Sequence, residues 1–475
     1  MMKPRFKFYF SGKIMLTVLA FLAFFRCAEE GTFLTEGETF NDVGISATST
    51  VPAGCSECTY VVPSSAYTQT VDGTKLGIKP GAVICLAATN SYRNINFKNL
   101  IGTADQPITI TNCGGTAILQ ASGLPYTMKT ETSKFIKIRG GSGTTYGIKL
   151  TGGHMGLSIE KFTTNIEVNN IEVYNVGFAG IMAKTDPTCD NATIRGNFVM
   201  RDVQLHHNYI HDTKGEGMYI GHSFYEKGVT LSCGVRLPHI IEGLKIYNNK
   251  IVRPGWDGIQ VGCTPKGAHV YNNTIENYGY LKVTYQDNGI QISEGTKGIV
   301  YGNLIKSGTG IGINVVGYGD SFLHDNIIVN AGTYGIFCDE RTQINLSGFT
   351  LVNNTIISPK KDGIRMYNDF VPGVVYNCII VNPGSYSTYT YPRTGSDAYV
   401  YKITKTIPLT VANNLFTRDV NYPKFVAASS YNYRLTSASP ALNKGKDVRI
   451  YNIEKDYYLT TRLKGTAYDI GASEY

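Results

Sequence analysis

Three acidic residues occupy related places in successive copies of a repeated phrase and are the first candidates for chemistry. Glu216 and Asp257 each directly precede the glycine of their copy, and Asp287 lies two residues before the glycine of the next copy. If the copies stack as coils, the carboxylates of Glu216 and Asp257 lie about 5 Å apart, as in a retaining glycosidase. Glu216 and Asp287 then lie about 9–10 Å apart, near the upper limit for an inverting pair. Stacked acids also repel, which raises the pKa of one of them and suits a general acid.

A column of polar side chains accompanies these acids. Two residues after each glycine the outward-facing position holds Tyr219, Gln260 and then Gln291, and the only tryptophan, Trp256, adjoins Asp257. Aromatic and amide side chains are the groups that bind sugar rings and hydroxyls. We therefore predict that this column binds a carbohydrate.

Three other interpretations of the same region stay open. Elimination from a uronic acid needs a base and a cation, and the candidates are Lys184, Arg253, His222 and Tyr219. The acids also suit a bound Ca²⁺ without any chemistry. Finally, acidic residues at solenoid corners cap turns through local backbone bonds. Asp362 holds the same corner position far from the candidate site, which favours the capping interpretation.

The phrase that carries these residues recurs from about residue 200 onward. It consists of Asn, any residue and Ile, then a short polar stretch, Gly, and alternating apolar residues. Successive copies begin at Asn208, Asn249, Asn273, Asn303, Asn326 and Asn354. The shortest spacing is 23 residues, within the range of solenoid repeats. Insertions at 185–204, 222–243 and 278–288 interrupt the phrase, and loops of this kind build binding faces.

Elementary physics selects a parallel β-helix for this repeat. Each phrase contains two short alternating strands, which cannot bury an apolar face alone. Stacking the coils at about 4.8 Å pairs every strand with the coils above and below and creates one continuous core. The recurring Asn fits a bend between strands, because it tolerates left-handed φ and its amide can bond the same Asn of the next coil. The composition agrees, with 52 Gly, 33 Tyr and only 17% charged residues.

The chain resembles the pectate-lyase-like superfamily of right-handed parallel β-helices. Residues 76–86, 91–97 and 102–110 are similar to the first coils of chondroitinase-B and alginate-lyase type proteins, and residues 439–475 are similar to the ends of bacterial surface β-helix proteins. The resemblance covers about residues 60–475 and implies an all-β solenoid fold. The paired Lys and Arg strand motif of the chondroitinase-B type is not found, so no catalytic residue is carried over.

The N-terminal segment is typical of an export signal. A basic stretch is followed by an apolar run from Ile14 to Phe25, which is too short to span a bilayer comfortably. Cys27 after this run, followed by acids, resembles the acylated cysteine of a bacterial lipoprotein, although Arg26 departs from that pattern. An uncleaved membrane anchor is the alternative. Without residues 1–26 and their five cations the formal charge falls from +8 to +3, so bulk charge gives no argument for nucleic acid.

The ten cysteines suit an oxidising compartment. Cys189 and Cys233 lie in insertions of neighbouring repeats and are the expected disulfide. Cys85, Cys338 and Cys378 occupy alternating apolar positions and are expected to be small core residues. For Cys55-x-x-Cys58 a local disulfide or free thiols are expected rather than zinc, because no second pair follows.

These observations predict an all-β, right-handed parallel β-helix with caps at both ends. The expected divisions are a signal segment (1–27), a linker and N-terminal cap (28–75), the β-helix (76–420) and a C-terminal cap (421–475). The expected function is an exported glycoside hydrolase or polysaccharide lyase, and the alternative is a surface adhesin or glycan-binding scaffold. We expect a monomer with a polysaccharide partner, no nucleic acid, membrane contact only through a lipid anchor, and Ca²⁺ as the cofactor the acids would suit.

Overall fold

The computed structural model describes residues 52–141, 145–317, 320–340, 348–367, 371–384, 398–402 and 407–475. The expected signal segment, with Cys27, lies outside the described residues. Among the residues described here, no helix is long and apolar enough to cross a membrane.

The described residues form 42 short strands and two 3₁₀ turns, at Ala428–Ser430 and Arg449–Tyr451. In chain order the strands are β1 (Tyr60–Val61), β2 (Ser65–Asp72), β3 (Val83–Ala87), β4 (Tyr92–Lys98), β5 (Ile108–Cys113), β6 (Ala117–Gln120), β7 (Tyr126–Glu131), β8 (Lys134–Arg139), β9 (Ile148–Thr151), β10 (Met155–Glu160), β11 (Thr164–Asn169), β12 (Ile171–Tyr174), β13 (Ile181–Ala183), β14 (Val199–Arg201), β15 (Val203–His206), β16 (Tyr209–His211), β17 (Met218–Ile220), β18 (Val229–Leu231), β19 (Gly234–Arg236), β20 (Ile240–Glu242), β21 (Leu244–Tyr247), β22 (Lys250–Val252), β23 (Ile259–Val261), β24 (Ala268–Tyr271), β25 (Thr274–Glu276), β26 (Ile290–Ile292), β27 (Gly298–Tyr301), β28 (Leu304–Lys306), β29 (Ile313–Val315), β30 (Phe322–His324), β31 (Ile327–Val329), β32 (Ile336–Asp339), β33 (Thr350–Val352), β34 (Thr355–Ile357), β35 (Ile364–Tyr367), β36 (Gly373–Tyr376), β37 (Ile379–Val381), β38 (Val400–Lys402), β39 (Leu409–Ala412), β40 (Leu415–Thr417), β41 (Phe425–Ala427) and β42 (Asn432–Leu435).

Three parallel ladders wrap one continuous apolar core. The first ladder runs from β1 to β39 through every coil. The second joins β4, β6, β9, β12, β16, β22, β25, β28, β31, β34, β37 and β40. The third joins β2, β4, β7, β10, β13, β17, β23, β26, β29, β32, β35 and β38. The all-β solenoid prediction is confirmed.

The asparagine ladder is present. The Nδ2 amide of Asn208 donates to Oδ1 of Asn249 at 3.0 Å, and Asn249 repeats the bond to Asn273. One detail was wrong: the left-handed φ belongs mostly to the residue before the ladder asparagine, such as Asn248 with φ 54°. The side-chain amide of the ladder asparagine instead donates hydrogen bonds to backbone carbonyls, as the Asn249 amide does to the Leu205 carbonyl.

The recurring glycine is explained by close approach between coils. A Cβ at Gly258 would lie 2.5 Å from the carbonyl oxygen of Gly289 in the next coil. A side chain there would force the coils apart, so the glycine keeps the third ladder in register.

The described ends of the solenoid differ in how they are closed. β1 and β2 already pair with later coils, so the ladders begin at Tyr60, before the expected boundary at residue 76. After β40 the chain forms the antiparallel pair β41–β42. This C-terminal part is tied to the coils by the buried guanidinium of Arg462, which bonds the carboxylates of Asp325 and Glu474.

Candidate functional site

The predicted polar column lies on the outer side of the third ladder. Backbone register stacks Tyr219 on Gln260 and Gln260 on Gln291, and Asn314 follows one coil later. The Nε2 amide of Gln291 donates to Oε1 of Gln260 at 3.3 Å, and Nδ2 of Asn314 donates to Oε1 of Gln291 at 3.1 Å. The three amides are largely buried, which sequence periodicity did not indicate.

The insertion after β17 accounts for part of that burial. Ser223 Oγ accepts the Nε2 amide of Gln260 at 2.6 Å and lies 3.1 Å from the Tyr219 hydroxyl. The column is therefore partly covered by an inserted loop rather than being an open strip of solenoid surface.

The predicted acidic stack is also present. The backbone N–H of Gly217 donates to the carbonyl of Asp257, and that of Gly258 donates to the carbonyl of Asn288, so Glu216, Asp257 and Asn288 occupy one corner in successive coils. Asp287 lies beside this stack, where its Oδ2 is 3.4 Å from the Thr309 hydroxyl.

Burial dominates the electrostatics of the two stacked acids. Burial raises the pKa of Glu216 to about 7, and the Lys184 ammonium offsets only part of this effect. Burial, with the Glu216 charge as a further contribution, raises the pKa of Asp257 well above its usual value. Within the described chain, Glu216 Oε2 and Asp257 Oδ2 have no hydrogen-bond partner. Both carboxyls are therefore held in their protonated forms at acidic pH.

Asp257 also caps the corner. Its Oδ1 accepts the backbone N–H of Asn288 at 2.7 Å and the Nδ2 amide of the same residue at 2.9 Å. This is the local bonding that the capping interpretation expects, and it distinguishes Asp257 from Glu216.

An exposed carboxylate that the sequence did not single out completes the cluster. Asp186 Oδ1 lies 2.5 Å from Lys184 Nζ and 3.5 Å from His222 Nε2. The Asp186 side chain is 63% exposed, whereas Lys184 and His222 are buried. Although the side chain is exposed, the protein packed around the carboxyl partly desolvates it and opposes its ionisation; the His222 bond and the Lys184 ammonium outweigh this and hold the pKa of Asp186 well below its usual value.

The histidines of this cluster have defined tautomers. His222 Nδ1 accepts the backbone N–H of Phe224 at 3.3 Å, so in the neutral ring Nε2 carries the hydrogen and donates toward Asp186. His239 Nε2 accepts the backbone N–H of Thr185 at 2.9 Å, and burial lowers the pKa of His239 to about 4. Both rings are consequently neutral near pH 7 and orient the loop that carries Asp186.

Three of the candidates for a lyase site lie close together: Lys184 Nζ is 5.6 Å from the centre of the Tyr219 ring, and Asp186 contacts both Lys184 and His222. Arg253 is not part of this group. Its guanidinium bonds Asp212 Oδ1 at 2.7 Å on the exposed surface.

Trp256 packs edge-on against Phe178, with ring centres 5.5 Å apart. Phe178 also packs edge-on against Tyr219 at 6.2 Å. Trp256 is half-buried and forms, with Phe178 and Tyr219, an aromatic cluster beside the acidic stack.

Cys189 and Cys233 form the disulfide that their positions suggested, joining two of the insertions around the cluster. The expectations for the other cysteines were partly wrong. Cys85 bonds Cys58 instead of packing as a free core thiol, and Cys55 bonds Cys113 rather than its near neighbour. These pairs form because adjacent coils place distant residues side by side. Cys338 and Cys378 are free and buried, as expected.

No oxygen-rich metal cluster is found among the described side chains. The one group of three potential ligands is Cys55, Cys58 and Cys113, whose sulphurs are in disulfides. The Ca²⁺ expectation therefore stays a prediction.

Comparison with known proteins agrees with the architecture. Residues 240–432 match the family described as right handed beta helix region. No curated protein sequence matches this chain. The prediction of a right-handed β-helix is thus confirmed.

Several solved structures are similar to this chain. An alginate lyase from Paenibacillus sp. str. FPU-7 is 17% identical, with 73% of this chain and 99% of that chain covered and a TM-score of 0.38. A GH136 lacto-N-biosidase from Eubacterium ramulus is 12% identical, with 76% and 68% covered and a TM-score of 0.46. The pectate lyase Pel9A is 11% identical, with 87% and 96% covered and a TM-score of 0.41.

Proposed function

We propose that this right-handed β-helix acts on an extended polysaccharide and hydrolyses a glycosidic bond between Asp186 and Glu216. The observation that carries the proposal is that one ammonium, that of Lys184, pairs with an exposed, ionised carboxylate and also acts electrostatically on a buried acid whose pKa is raised. Asp186 bonds Lys184 at 2.5 Å, and the same Lys184 charge acts on Glu216.

Below about pH 7 the two acids have opposite protonation states. The pKa of Glu216 is about 7, whereas that of Asp186 is held well below its usual value. Glycoside hydrolysis uses one protonated acid to donate to the leaving oxygen and one ionised carboxylate as base or nucleophile. Environments that push two pKa values apart in this way assign the roles, with Glu216 as the acid and Asp186 as the ionised partner.

The surroundings supply the other parts of such a site. Lys184 and His222 position the Asp186 carboxylate, and the Tyr219 ring and the amides of Gln260 and Gln291 form the polar column alongside. Because strands repeat every 4.8 Å or so, this column places polar groups along a line, which matches a polymer better than a compact metabolite.

Elimination is the second candidate reaction, and one observation favours it. Lys184 lies 5.6 Å from the Tyr219 ring with His222 nearby, so cationic and phenolic groups for uronate chemistry are grouped. The third candidate, a non-catalytic glycan scaffold, is favoured by the backbone cap that Asp257 forms.

A panel of polysaccharides distinguishes these three functions. The purified protein is incubated with each glycan, and new reducing ends are read together with the ultraviolet absorbance of unsaturated uronate. Reducing ends without absorbance support hydrolysis, and both signals together establish a lyase. Silence across a broad panel would support the scaffold.

Variants then test the residue assignment. Asp186→Asn and Glu216→Gln should each lower activity by a factor of about 100 or more. Asp447→Asn is the matched control, because Asp447 is an ion-paired carboxylate in the exposed C-terminal cap. Full activity of Asp186→Asn would remove Asp186 from the mechanism.

We also propose that the protein is exported from the cytoplasm. Three disulfides among the described residues suit an oxidising compartment. Cell fractionation with lipid labelling tests both parts: wild type should appear outside the cytoplasm and carry label that Cys27→Ala loses. Unlabelled exported protein would indicate an ordinary cleaved signal, and cytoplasmic protein would contradict export.

A further inference from the structure

The loop between β25 and β26 displays a large aromatic side chain beside the candidate site. Tyr285 is 75% exposed, and its loop neighbours Tyr280 and Leu281 are 37% and 47% exposed. Exposure of one such side chain is ordinary, but three in one short loop beside the polar column suggest a contact surface.

The backbone of Tyr285 adds a second observation. Its φ is 66°, in the left-handed region that bulky residues disfavour. The backbone N–H of Gln286 donates to the carbonyl of Val283 at 3.0 Å, so a turn forms here that Asn or Gly would adopt with less strain. The ring is mostly in solvent, so core packing does not explain a tyrosine at this position.

Hydrogen bonds connect Tyr285 to the acidic stack. Its carbonyl accepts the Nδ2 amide of Asn288 at 3.4 Å, and the same amide donates to Asp257 Oδ1 and Gln291 Oε1, each at 2.9 Å. Asn288 lies two coils from Glu216, about 10 Å along the solenoid axis. The backbone of Tyr285 is therefore held beside the polar column, two coils from Glu216 and outside the proposed reacting groups.

We infer that Tyr285 is a sugar-stacking platform that determines how the polymer is seated two coils from the reacting bond. Its ligand is a pyranose ring that presents an apolar C–H face to the electron-rich face of the phenol. This inference rests on the proposed function, because it assigns a subsite to the same glycan.

The test compares Tyr285→Asn and Tyr285→Phe with the control Tyr67→Asn. Tyr67 is a 63% exposed tyrosine on β2, in the first coils and many coils away from Tyr285. KM and kcat are measured on the glycan that the wild-type protein cleaves, together with Tm. Tyr285→Asn should raise KM roughly tenfold, which is about 1.4 kcal/mol, with kcat nearly unchanged. Its Tm should stay the same or rise, because Asn tolerates left-handed φ.

The controls separate the possible explanations. Tyr285→Phe should keep the wild-type KM, since the ring face does the binding, and Tyr67→Asn should change nothing. An unchanged KM for Tyr285→Asn overturns the inference while the proposed function stands. A lowered Tm, with equal loss in the Phe variant, would show that Tyr285 is structural. A wild-type protein inactive on every glycan overturns the proposed function and the platform with it.

Discussion

Replacing Glu216 with Gln should stabilise the protein at alkaline pH while abolishing its activity. The side chain is 2% exposed, and in the described structure one carboxyl oxygen lacks a hydrogen-bond partner. Gln has nearly the same shape as the protonated acid but never ionises, so the variant removes the cost of a buried charge. Loss of the proposed acid removes the proton that the leaving oxygen requires.

The magnitude follows from the pKa of Glu216. The folded value of about 7 lies above the ordinary value of 4.5, so between these pH values the folded state binds more protons than the unfolded state. Stability therefore falls as pH rises through this window, by up to 1.4 kcal/mol or so for each pH unit. The accumulated cost is about 3 kcal/mol above pH 7, and Glu216→Gln should recover a large part of it.

Thermal unfolding of wild type and Glu216→Gln at pH 5, 6, 7 and 8 measures the effect. The Tm difference should grow in favour of the variant between pH 5 and 7 and then level off. Asp447→Asn serves as the control, because Asn matches Asp in size whereas Gln does not. A Tm difference that stays constant from pH 5 to 8 would refute the raised pKa, and an active variant would refute the acid role.

Three further variants test the architecture around the site. Asp257→Ala should lower the unfolding free energy by about 2 kcal/mol because it leaves a buried N–H without its acceptor, whereas Asp257→Asn should not; equal Tm values would contradict this. The double variant Cys189→Ser, Cys233→Ser should keep the circular dichroism spectrum but lower Tm and activity, because closing this loop with a disulfide stabilises the folded state by about 3–4 kcal/mol. An unchanged kcat would show that the bridge does not position the site. Arg462→Met should lower the unfolding free energy by about 3–5 kcal/mol, because it leaves the buried Asp325 carboxylate without its ion-pair partner. Adding Asp325→Asn to the same chain should restore part of the lost Tm in a thermal scan.

Most of the solenoid was predictable because its rules are local. The spacing of Asn208, Asn249 and Asn273 marks one corner, and alternation marks the strands, so counting from the glycine places Tyr219 beside Gln260. This register holds because a slip of one residue would expose the apolar face of a strand.

The parts that failed depend on non-local folding. Asp186 lies in an insertion, where the repeat phase is lost, and its contact with His222 comes from a second inserted loop that periodicity does not place. The partner of Cys58 is Cys85, 27 residues away, because one coil separates them in sequence. Burial of Gln260 under Ser223 likewise follows from an inserted loop and from no periodic pattern.

The pH dependence of kcat/KM on a cleaved glycan tests the central claim most directly. If Glu216 donates the proton and Asp186 stays ionised, kcat/KM should fall as pH rises above about 7, where the Glu216 carboxyl ionises. The acidic limb should lie well below pH 4, because the pKa of Asp186 is held below its usual value. A kcat/KM that climbs steadily through pH 9 would contradict this assignment and point to a deprotonated Lys184 or Tyr219 as the base of an elimination.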